Sequence, residues 1–534
     1  MQLKRTNVLK PLILVYKYDK IKGKFKESRG DNMSNKNDYT YNQSSKKIIR
    51  HKTISYAIKL MTSERERACC VERNYVRNIY DFYNLSEEHS LNKVETQKID
   101  VSYITNWERL HDSYIGNKRP EDLTIAYLSG PEPENDFREF LGMGILPQNI
   151  WGFEINKDSY KKAITAYRVG EFPQPRIIKQ NIETFFQQTP KKFDIIYIDA
   201  CGSIPSSQHA LRCIATACQY HRLNSPGVFI SNFAEPDINK ESIAGFCDLI
   251  SQYLFFKKYP YLDITFDKHG IANLEYIEYK NEVETNFKYY YSEFISALLR
   301  DIPAIIIPLQ RFAENPYLNQ IFDKNLIHNI SIEDILKLSK GNSLASYFFA
   351  MKYLATKNQL GERNNIFLKE LINFESLILG LKIVVLLRKK KICLQENVKA
   401  IESYFEEGDK VYRFLDRPHS NMLFDVIINQ LSYPLHYNVL QSRRFQYKAK
   451  YTNMFTDVSI YDECRYIYEW IPALHQITSA FDNVSWQYVF RFALDGLVKM
   501  RQAYNNEFFY QGSVISNSIK GFEKKKMVER EIIE

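Results

Sequence analysis

Short apolar runs alternate with amphipathic stretches between residues 123 and 232. This alternation is typical of repeated strand–helix units, and it predicts a parallel sheet covered by helices. The run at 193–199 is apolar on both faces, so we expect a buried central strand there. The predicted strands are Thr124–Leu128, Ile150–Phe153, Arg176–Lys179, Asp194–Ile198 and Gly227–Ser231, and the predicted helices are Glu134–Leu141, Asp158–Tyr167 and Ser207–Tyr220. The chain is therefore predicted to contain an α/β fold with a doubly wound, mostly parallel sheet.

The segments on either side of this region have helical patterns. Apolar residues recur at helical spacing in residues 53–85, in Val101–Ile115 and again in the C-terminal half. Pro303 and Pro308 are expected to interrupt that half with a short strand or loop around Ala304–Ile307. Later helices are predicted at Ser343–Lys357, Phe367–Leu387 and Trp486–Tyr504. The predicted organisation is a basic, flexible N-terminal arm at 1–52, a helical extension at 53–120, the α/β domain at 121–283 and a large, mainly helical C-terminal domain at 284–534.

Length and composition narrow the class of protein. A chain of 534 residues is too long for one hydrophobic core, and 45% hydrophobic with 25% charged residues exclude a disordered or fibrous chain. Eight cysteines at irregular spacing do not form a disulfide framework, so we expect them to be reduced. No apolar run reaches the ~18 residues that a membrane span needs. We therefore expect a cytoplasmic protein.

The positive charge is concentrated near the N-terminus. Residues 1–52 hold 14 Lys and Arg residues against four Asp and Glu residues, which gives this arm +10, whereas the whole chain carries +9. The rest of the chain is therefore nearly neutral, at −1. The polar, turn-like stretch before Met33 also leads to the hypothesis that translation starts at Met33. A basic arm is one reason to consider a nucleic-acid partner.

The first two predicted strands end in residues that suit nucleotide binding. Ser129 and Gly130 follow the first strand and precede a helix. A glycine lets the backbone approach a ligand closely, and the N-terminus of a helix presents free N–H groups. Glu154 stands at the end of the second strand, 24 residues after Gly130. An acidic residue at about this spacing (~20) accepts hydrogen bonds from ribose hydroxyls in dinucleotide-type sites.

The third and fourth predicted strands also end in candidate ligand-binding residues. Asn181 and Ile182 follow the third strand, where a side-chain amide and an apolar contact can hold an adenine ring. Asp199 ends the buried fourth strand, at the carboxyl edge where sheets of this type bind ligands. The four features occur in order along the chain, and their spacing is more specific than any one of them.

Taken together, these residues resemble the class I S-adenosylmethionine (SAM)-dependent methyltransferases, whose fold is Rossmann-like. The resemblance covers roughly residues 100 to 280 and identifies no subfamily. It implies SAM (S-adenosyl-L-methionine) as the cofactor. It also implies roles for the residues quoted above: Ser129 and Gly130 under the methionine part of SAM, Glu154 on the ribose, Asn181 and Ile182 on the adenine, and Asp199 facing the methyl group and the acceptor.

Each of these roles has a structural alternative. Methyl transfer from a sulfonium needs mainly positioning, so Asp199 could orient an acceptor amine or hydroxyl and take its proton late. Alternatively, Asp199 caps the following loop by accepting backbone N–H bonds. Glu154 could be a solvated strand end, and Asn181 could be an ordinary turn residue.

A dehydrogenase-type nucleotide site and a zinc site fit the sequence less well than a SAM site does. A dehydrogenase-type nucleotide fold normally requires Gly-x-Gly-x-x-Gly, and residues 128–136 contain one glycine. A zinc site is suggested by the proximity in sequence of Cys201, His209, Cys213, Cys218 and His221. Around a helix these side chains do not converge on one point, so we expect buried structural cysteines and no metal.

A basic and aromatic segment lies near the C-terminus. Residues 436–456 contain Arg443, Arg444, Lys448 and Lys450, and no Asp or Glu lies among them. Such a mixture can pair with phosphates and stack on bases, although a solvated face with core aromatics is the ordinary explanation.

The leading hypothesis is a SAM-dependent methyltransferase that acts on a macromolecule, with nucleic acid, RNA or DNA, favoured as the acceptor. Its helical C-terminal domain would handle substrate or a protein partner. The second hypothesis is a catalytically inactive, methyltransferase-like adaptor in a multiprotein assembly, because Pro131 and Pro133 flank the single glycine and lack N–H donors. A third is a nucleic-acid-binding protein with a vestigial fold, which would bind in a salt-dependent way without cofactor.

Overall fold

The computed structural model describes residues 44–85, 93–94, 96–169, 176–200, 202–204, 209–236, 240–259, 266–267, 270–316, 324–331, 334–335, 373–388, 429–470, 483–498 and 526–534. Its α-helices are α1 Ser44–Met61, α2 Arg65–Ala68, α3 Tyr75–Leu85, α4 Val101–Ile115, α5 Glu134–Gly142, α6 Lys157–Val169, α7 Ile182–Gln188, α8 His209–Gln219, α9 Lys240–Lys258, α10 Leu274–Thr285, α11 Phe287–Asp301, α12 Ile307–Ala313, α13 Lys324–His328, α14 Phe374–Arg388, α15 Arg465–Tyr468 and α16 Val484–Val498. Its strands are β1 Ile125–Leu128, β2 Ile150–Phe153, β3 Arg176–Ile178, β4 Phe193–Ile198, β5 Leu223–Ala234, β6 Phe266–Asp267, β7 Gly270–Ile271, β8 His436–Tyr437, β9 Arg443–Ala449, β10 Thr452–Asp462 and β11 Glu531–Ile533.

A large sheet organises the described part of the chain. Strands β1 to β5 are parallel and lie in the order β3-β2-β1-β4-β5. The chain thus moves outward from β1 to β3 and then crosses back to β4 and β5. The junction between β1 and β4 is the topological switch point, where such sheets form a ligand crevice at the carboxyl ends of the strands. The predicted doubly wound α/β fold is confirmed.

Both faces of the sheet are covered. Every residue of β4 is buried, as predicted for a central strand. Ile195 and Tyr197 belong to a core that includes apolar residues of α1 and α5. Ile196 and Ile198 belong to a second core, on the other face, that includes residues of α8 and α9. This alternation along one strand follows from the two-residue period of side chains in a sheet.

The sheet also draws strands from the C-terminal half of the chain. β10 pairs antiparallel with β5, β9 pairs antiparallel with β10, and β11 pairs parallel with β9. These strands lie in residues 284–534, where we predicted mainly helix and a separate domain. The difference arises because β5 has its sheet partner more than 200 residues further along the chain, which no local pattern reveals.

The prolines around residue 305 do not break the chain into a strand or loop, and that prediction is wrong. α11 continues through a π-helical turn at Ile302–Ile306 into α12. Pro303 and Pro308 lie near the starts of these two segments. A wider π turn tolerates the absence of the N–H group that proline lacks.

The last residues of the predicted N-terminal arm, from Ser44 to Lys52, are helical. α1 begins at Ser44, and Ile49, Ile54 and Ala57 are buried in the core above the sheet. Residues 1–43 lie outside the described residues, as do the predicted helix Ser343–Lys357 and parts of the two later helices. Among the helices that the structure describes, none combines the length and the apolar character needed to cross a membrane.

Candidate functional site

The four strand ends singled out in the sequence meet at one edge of the sheet. Asn181, Glu154, Gly130 and Asp199 follow β3, β2, β1 and β4, which are consecutive neighbours in the sheet. Parallel strands place their carboxyl ends at the same edge, so the four features form one row across the switch point between β1 and β4. Their predicted functions remain predictions.

The loop after β1 is open beside its glycine. The N–H group of Ser129 donates to the carbonyl of Phe153 at 3.0 Å, which holds the start of this loop against β2. Gly130 has φ +58°, and no described atom lies within 4 Å of the point where a Cβ would stand. The backbone at Gly130 can therefore be approached by a ligand, as predicted from the glycine.

One further residue of this loop was missed by the sequence prediction. Glu134 is the first residue of α5, and its Oε2 atom is buried without a hydrogen-bond partner among the described residues. An unpaired buried carboxylate oxygen is costly, because it has lost water and gained no donor. The start of α5 therefore holds a carboxylate oxygen whose hydrogen-bonding capacity the described residues do not use.

Glu154 extends from the end of β2 and is half-buried. Its Oε1 atom accepts a hydrogen bond from the backbone N–H of Asn156 at 2.7 Å. This contact orients the carboxylate and does not involve the Oε2 atom. The neighbouring Gly152 is closely packed, since a Cβ there would stand 3.1 Å from the Tyr127 ring and 3.2 Å from the Cβ of Ser129.

Asn181 and Ile182 stand at the start of α7. The Oδ1 atom of Asn181 accepts a hydrogen bond from the N–H of Glu183 at 2.7 Å, so this side chain caps the helix. The cap uses the oxygen and not the NH₂ group. Ile182 is buried in the core on the α8 side of the sheet.

Asp199 is mostly buried, with 11% of its side chain exposed, and is held from two sides. Its Oδ2 atom lies 2.8 Å from Nζ of Lys46 in α1, and its Oδ1 atom accepts a hydrogen bond from Nδ2 of Asn232 in β5 at 2.8 Å. Burial alone would raise the pKa of Asp199, but the charge and hydrogen bond of Lys46 and the amide of Asn232 outweigh it, so the pKa is lowered. The carboxylate is therefore ionised and fixed in orientation.

A second ion pair lies beside the first. Nε of Arg50 in α1 donates to Oδ1 of Asp136 in α5 at 2.6 Å, and both side chains are buried. Burial raises the pKa of Asp136 to about 6, and Arg50 only partly opposes this effect. We assigned Lys46 and Arg50 to the flexible arm because of their charge. Their spacing of four residues, with Ile49 and Ile54 on the same segment, is the helical signal that could have identified them.

Asn232 links this cluster to the C-terminal hairpin. Its Nδ2 atom also donates to the hydroxyl of Tyr447 in β9 at 3.0 Å, and its Oδ1 atom accepts from the hydroxyl of Thr456 in β10 at 3.0 Å. The ends of β4, β5, β9 and β10 are thus joined by one buried polar network. No sequence motif identifies Asn232, because its partners come from distant parts of the chain.

The four predicted cations of residues 436–456 do not share one surface. Arg444 is buried and paired with Glu293 of α11, and Arg443 lies over the Tyr56 ring and donates to backbone carbonyls. Lys448 and Lys450 are exposed at the end of the β9–β10 hairpin. Of the four predicted cations, these two are exposed, Arg443 is half-buried and Arg444 is buried.

Two residues of the cysteine and histidine segment, His209 and Cys213, lie close to each other and to Glu183. Nδ1 of His209 lies 2.9 Å from Oε1 of Glu183, and Sγ of Cys213 lies 3.9 Å from the same nitrogen. These three residues form a group of potential metal ligands, which was not expected because Glu183 lies outside the segment. Arg212 also donates to the Glu183 carboxylate, at 3.2 Å, so the arrangement is an ion-pair cluster that joins α7 to α8. Cys201 lies outside the described residues.

Comparisons with known proteins found partial similarity to solved structures. No family model and no curated protein matches the chain. Among solved structures, the chain is similar to a putative methylase from Haemophilus influenzae (14% identity, 27% of this chain and 78% of that chain, TM-score 0.19). It is also similar to a SAM-dependent methyltransferase from Clostridium acetobutylicum (17%, 28% and 56%, TM-score 0.18). A third similar structure is a putative sarcosine dimethylglycine methyltransferase from Galdieria sulphuraria (12%, 47% and 81%, TM-score 0.18). At these TM-scores, we base the function on the geometry of the chain itself.

Proposed function

We propose that this protein is a class I SAM-dependent methyltransferase. The observation that carries the proposal is the row of four strand-end features across the β1–β4 switch point, with an open glycine at its centre. Ligands of doubly wound sheets bind in this crevice. The order of the features is the one expected for a nucleoside cofactor that lies along the carboxyl edge.

The residues present fit SAM. The open backbone at Gly130 would take the methionine part, and Glu134, whose Oε2 atom has no donor among the described residues, would offer its carboxylate to the ammonium group. The Oε2 atom of Glu154 would accept hydrogen bonds from the ribose hydroxyls. The NH₂ group of Asn181 and the start of α7 at Ile182 would contact the adenine. SAM supplies a methyl group that is already activated for transfer.

Asp199 would orient the acceptor. Its carboxylate is fixed by Lys46 and Asn232, so it can hold an acceptor N–H or O–H group in one direction. Its lowered pKa makes it a weak base. It would therefore contribute chiefly by positioning and take a proton only after transfer has made the acceptor acidic.

A nucleic acid is the favoured acceptor. The support is the basic arm, with its charge of +10 in residues 1–52, together with the exposed Lys448 and Lys450 close to the carboxyl edge. Lysines at this edge would attract a phosphate backbone toward the site. A protein partner would use the helices of the C-terminal half.

The cofactor is tested by calorimetry with SAM and with S-adenosylhomocysteine. We expect Glu154→Ala to weaken the binding of both by about tenfold or more, because hydrogen bonds to charged groups contribute roughly 1.5–3 kcal/mol. Glu278→Ala, an exposed substitution on α10, is the matched control and should bind like the wild type. No binding by the wild type, or equal binding by Glu154→Ala, would contradict the proposed cofactor site.

A catalytically inactive adaptor is the second candidate. The observation that favours it is that both carboxylate oxygens of Asp199 are already engaged within the protein. Incubation with methyl-labelled SAM and total cellular RNA, DNA and protein separates the two functions. Transfer of label by the wild type, lost in Asp199→Asn while SAM binding is retained, excludes the adaptor. Absence of transfer to any fraction supports it.

A further inference from the structure

We propose that the end of the β9–β10 hairpin is a docking site for single-stranded nucleic acid. In this proposal the ring of Tyr451 stacks on a base a few nucleotides away from the target nucleotide, and Lys448 and Lys450 pair with phosphates. The inference rests on the proposed function, and it names the acceptor class and the residues that hold it. Residues 448–452 are called the hairpin tip below.

The hairpin tip emerges at the same edge of the sheet as the candidate site. β10 runs antiparallel to β5, with Met454 opposite Ala234 at the carboxyl end of β5. Asn453 accepts a hydrogen bond from the N–H of Glu235 at 2.8 Å, which fixes the start of β10 against that end. Because strands rise about 3.3 Å per residue, the hairpin tip at Tyr451 extends roughly 10 Å beyond the level of Met454.

The hairpin is physically connected to Asp199. Tyr447 of β9 accepts a hydrogen bond from Asn232, and the same amide donates to Asp199. Tyr447 lies four residues before Tyr451 in the chain. By the strand register, Tyr451 lies five residues along the chain from Thr456 and two strands across from Asp199, about 19 Å away, so the hairpin tip is within reach of a nucleotide a few positions from an acceptor base at Asp199.

Tyr451 is unusual in its exposure. It is 93% exposed, the largest value for any large hydrophobic side chain among the described residues. Folding gains nothing from a ring in this position. Aromatic rings that face solvent beside cationic side chains are the platforms on which single-stranded nucleic acids stack, and they tolerate any sequence.

Lys450 occupies a backbone position that disfavours lysine. The two residues between β9 and β10 form a tight turn, in which Lys450 has φ +54°. Glycine, asparagine and aspartate are the usual residues at such positions, because a side chain with a Cβ is strained there.

The hairpin tip carries two exposed cations, Lys448 and Lys450. The acidic residues near it are Glu534, exposed beside Lys448 at the end of β11, and Glu235, whose carboxylate accepts a hydrogen bond from Nδ2 of Asn453 at 2.5 Å. The buried Arg444 is paired with Glu293 and does not contribute to this surface. Two cations beside one exposed ring match the phosphate–base repeat of a single strand better than the irregular surface of a protein.

The test is fluorescence anisotropy with a labelled single-stranded oligonucleotide of mixed sequence, prepared as RNA and as DNA. We expect Tyr451→Ala to weaken binding by about 5- to 150-fold, the loss of one stacked base. Tyr451→Phe keeps the ring and should bind like the wild type. Lys450→Gly should reduce the slope of log affinity against log salt by about 0.7. Its melting temperature should not fall, because glycine adopts the turn conformation freely.

The results that overturn the docking site are distinct from those that overturn the cofactor. Calorimetry with SAM is performed on the same proteins. If the wild type binds SAM but neither oligonucleotide, or if Tyr451→Ala binds as tightly as the wild type, the hairpin tip is not the docking site. Methyl transfer to a protein fraction that is unaffected by Tyr451→Ala also overturns it. If the wild type does not bind SAM, the proposed function fails, whatever the oligonucleotide result.

Discussion

The Nζ atom of Lys46 lies 2.8 Å from Oδ2 of Asp199, and about a tenth of each side chain is exposed. A buried ion pair of this kind contributes little by comparison with a well-packed apolar pair, but removing one partner leaves the other charge without compensation. The pair therefore makes α1 a part of the candidate site. It also explains why the Asp199 carboxylate stays ionised at a buried position.

We expect Lys46→Met to lower the free energy of unfolding by about 3 kcal/mol at neutral pH. Lys47→Met, at the exposed neighbouring position, should change it by less than about 0.5 kcal/mol. Because the pKa of Asp199 is lowered in the wild type, its stabilising effect is present above its unfolded value and is lost as the pH falls through the folded one. Urea unfolding at several pH values should show the difference between wild type and Lys46→Met shrinking in acid. Equal stability of Lys46→Met and Lys47→Met at neutral pH would contradict the stabilising role of Lys46.

At the scale of elements, Gly152 of β2 packs closely against Tyr127 of β1 and against Ser129, which follows β1. A Cβ at this position would crowd the Tyr127 ring and Ser129, the residue that leads into the open loop. Gly142, at the end of α5, has no described atom within 4 Å of its Cβ position. The two glycines therefore form a matched pair, one packed and one open.

We expect Gly152→Ala to destabilise the protein by about 1–3 kcal/mol and to weaken SAM binding, because the crowding displaces the loop at Ser129 and Gly130. Gly142→Ala should instead stabilise the protein by roughly 0.5–1 kcal/mol, since alanine restricts the unfolded chain. Thermal unfolding and SAM calorimetry on both variants check the prediction. It is wrong if the two substitutions shift the melting temperature in the same direction.

Elements whose pattern is local could be predicted from the sequence. β2 was predicted with its observed bounds, and the other four parallel strands and α4 were found to within a few residues. The hairpin β9–β10 was missed, because its hydrophobic face is defined by β5 and α11 and not by its own sequence. The same reason applies to the site: Glu154 and Asp199 are strand ends that periodicity reveals, whereas Lys46 and Asn232 matter only through contacts across the fold.

At the scale of the whole molecule, the end of the chain completes the sheet. β11 pairs with β9, and the guanidinium of Arg530 donates to Oδ1 of Asp457 at 2.6 Å and to the carbonyl of Phe445 at 2.9 Å. Burial lowers the pKa of Arg530, although Asp457 opposes the effect. The adjacent Glu531 pairs with Lys52 of α1, and both of those side chains are about half exposed. The first and last described elements therefore meet at one side of the sheet.

We expect Arg530→Met to cost about 3–5 kcal/mol, because it leaves Asp457 buried without its cation. Glu531→Gln removes the exposed partner of Lys52 and should cost less than about 1 kcal/mol. Denaturant unfolding measures both. A loss in Arg530→Met no larger than that in Glu531→Gln would show that β11 is not anchored by its arginine.

The position of β10 beside β5 has a consequence for synthesis of the protein. β5 ends at Ala234 and β10 begins at Thr452, so roughly 220 residues are translated between the two partners, which takes about 10–45 s at 5–20 residues per second. During this time the long apolar β5 is an open strand edge on the ribosome-bound chain, able to pair with a neighbouring nascent chain. The yield of native protein is therefore set by how quickly the ribosome reaches the hairpin and by what shields β5 until then.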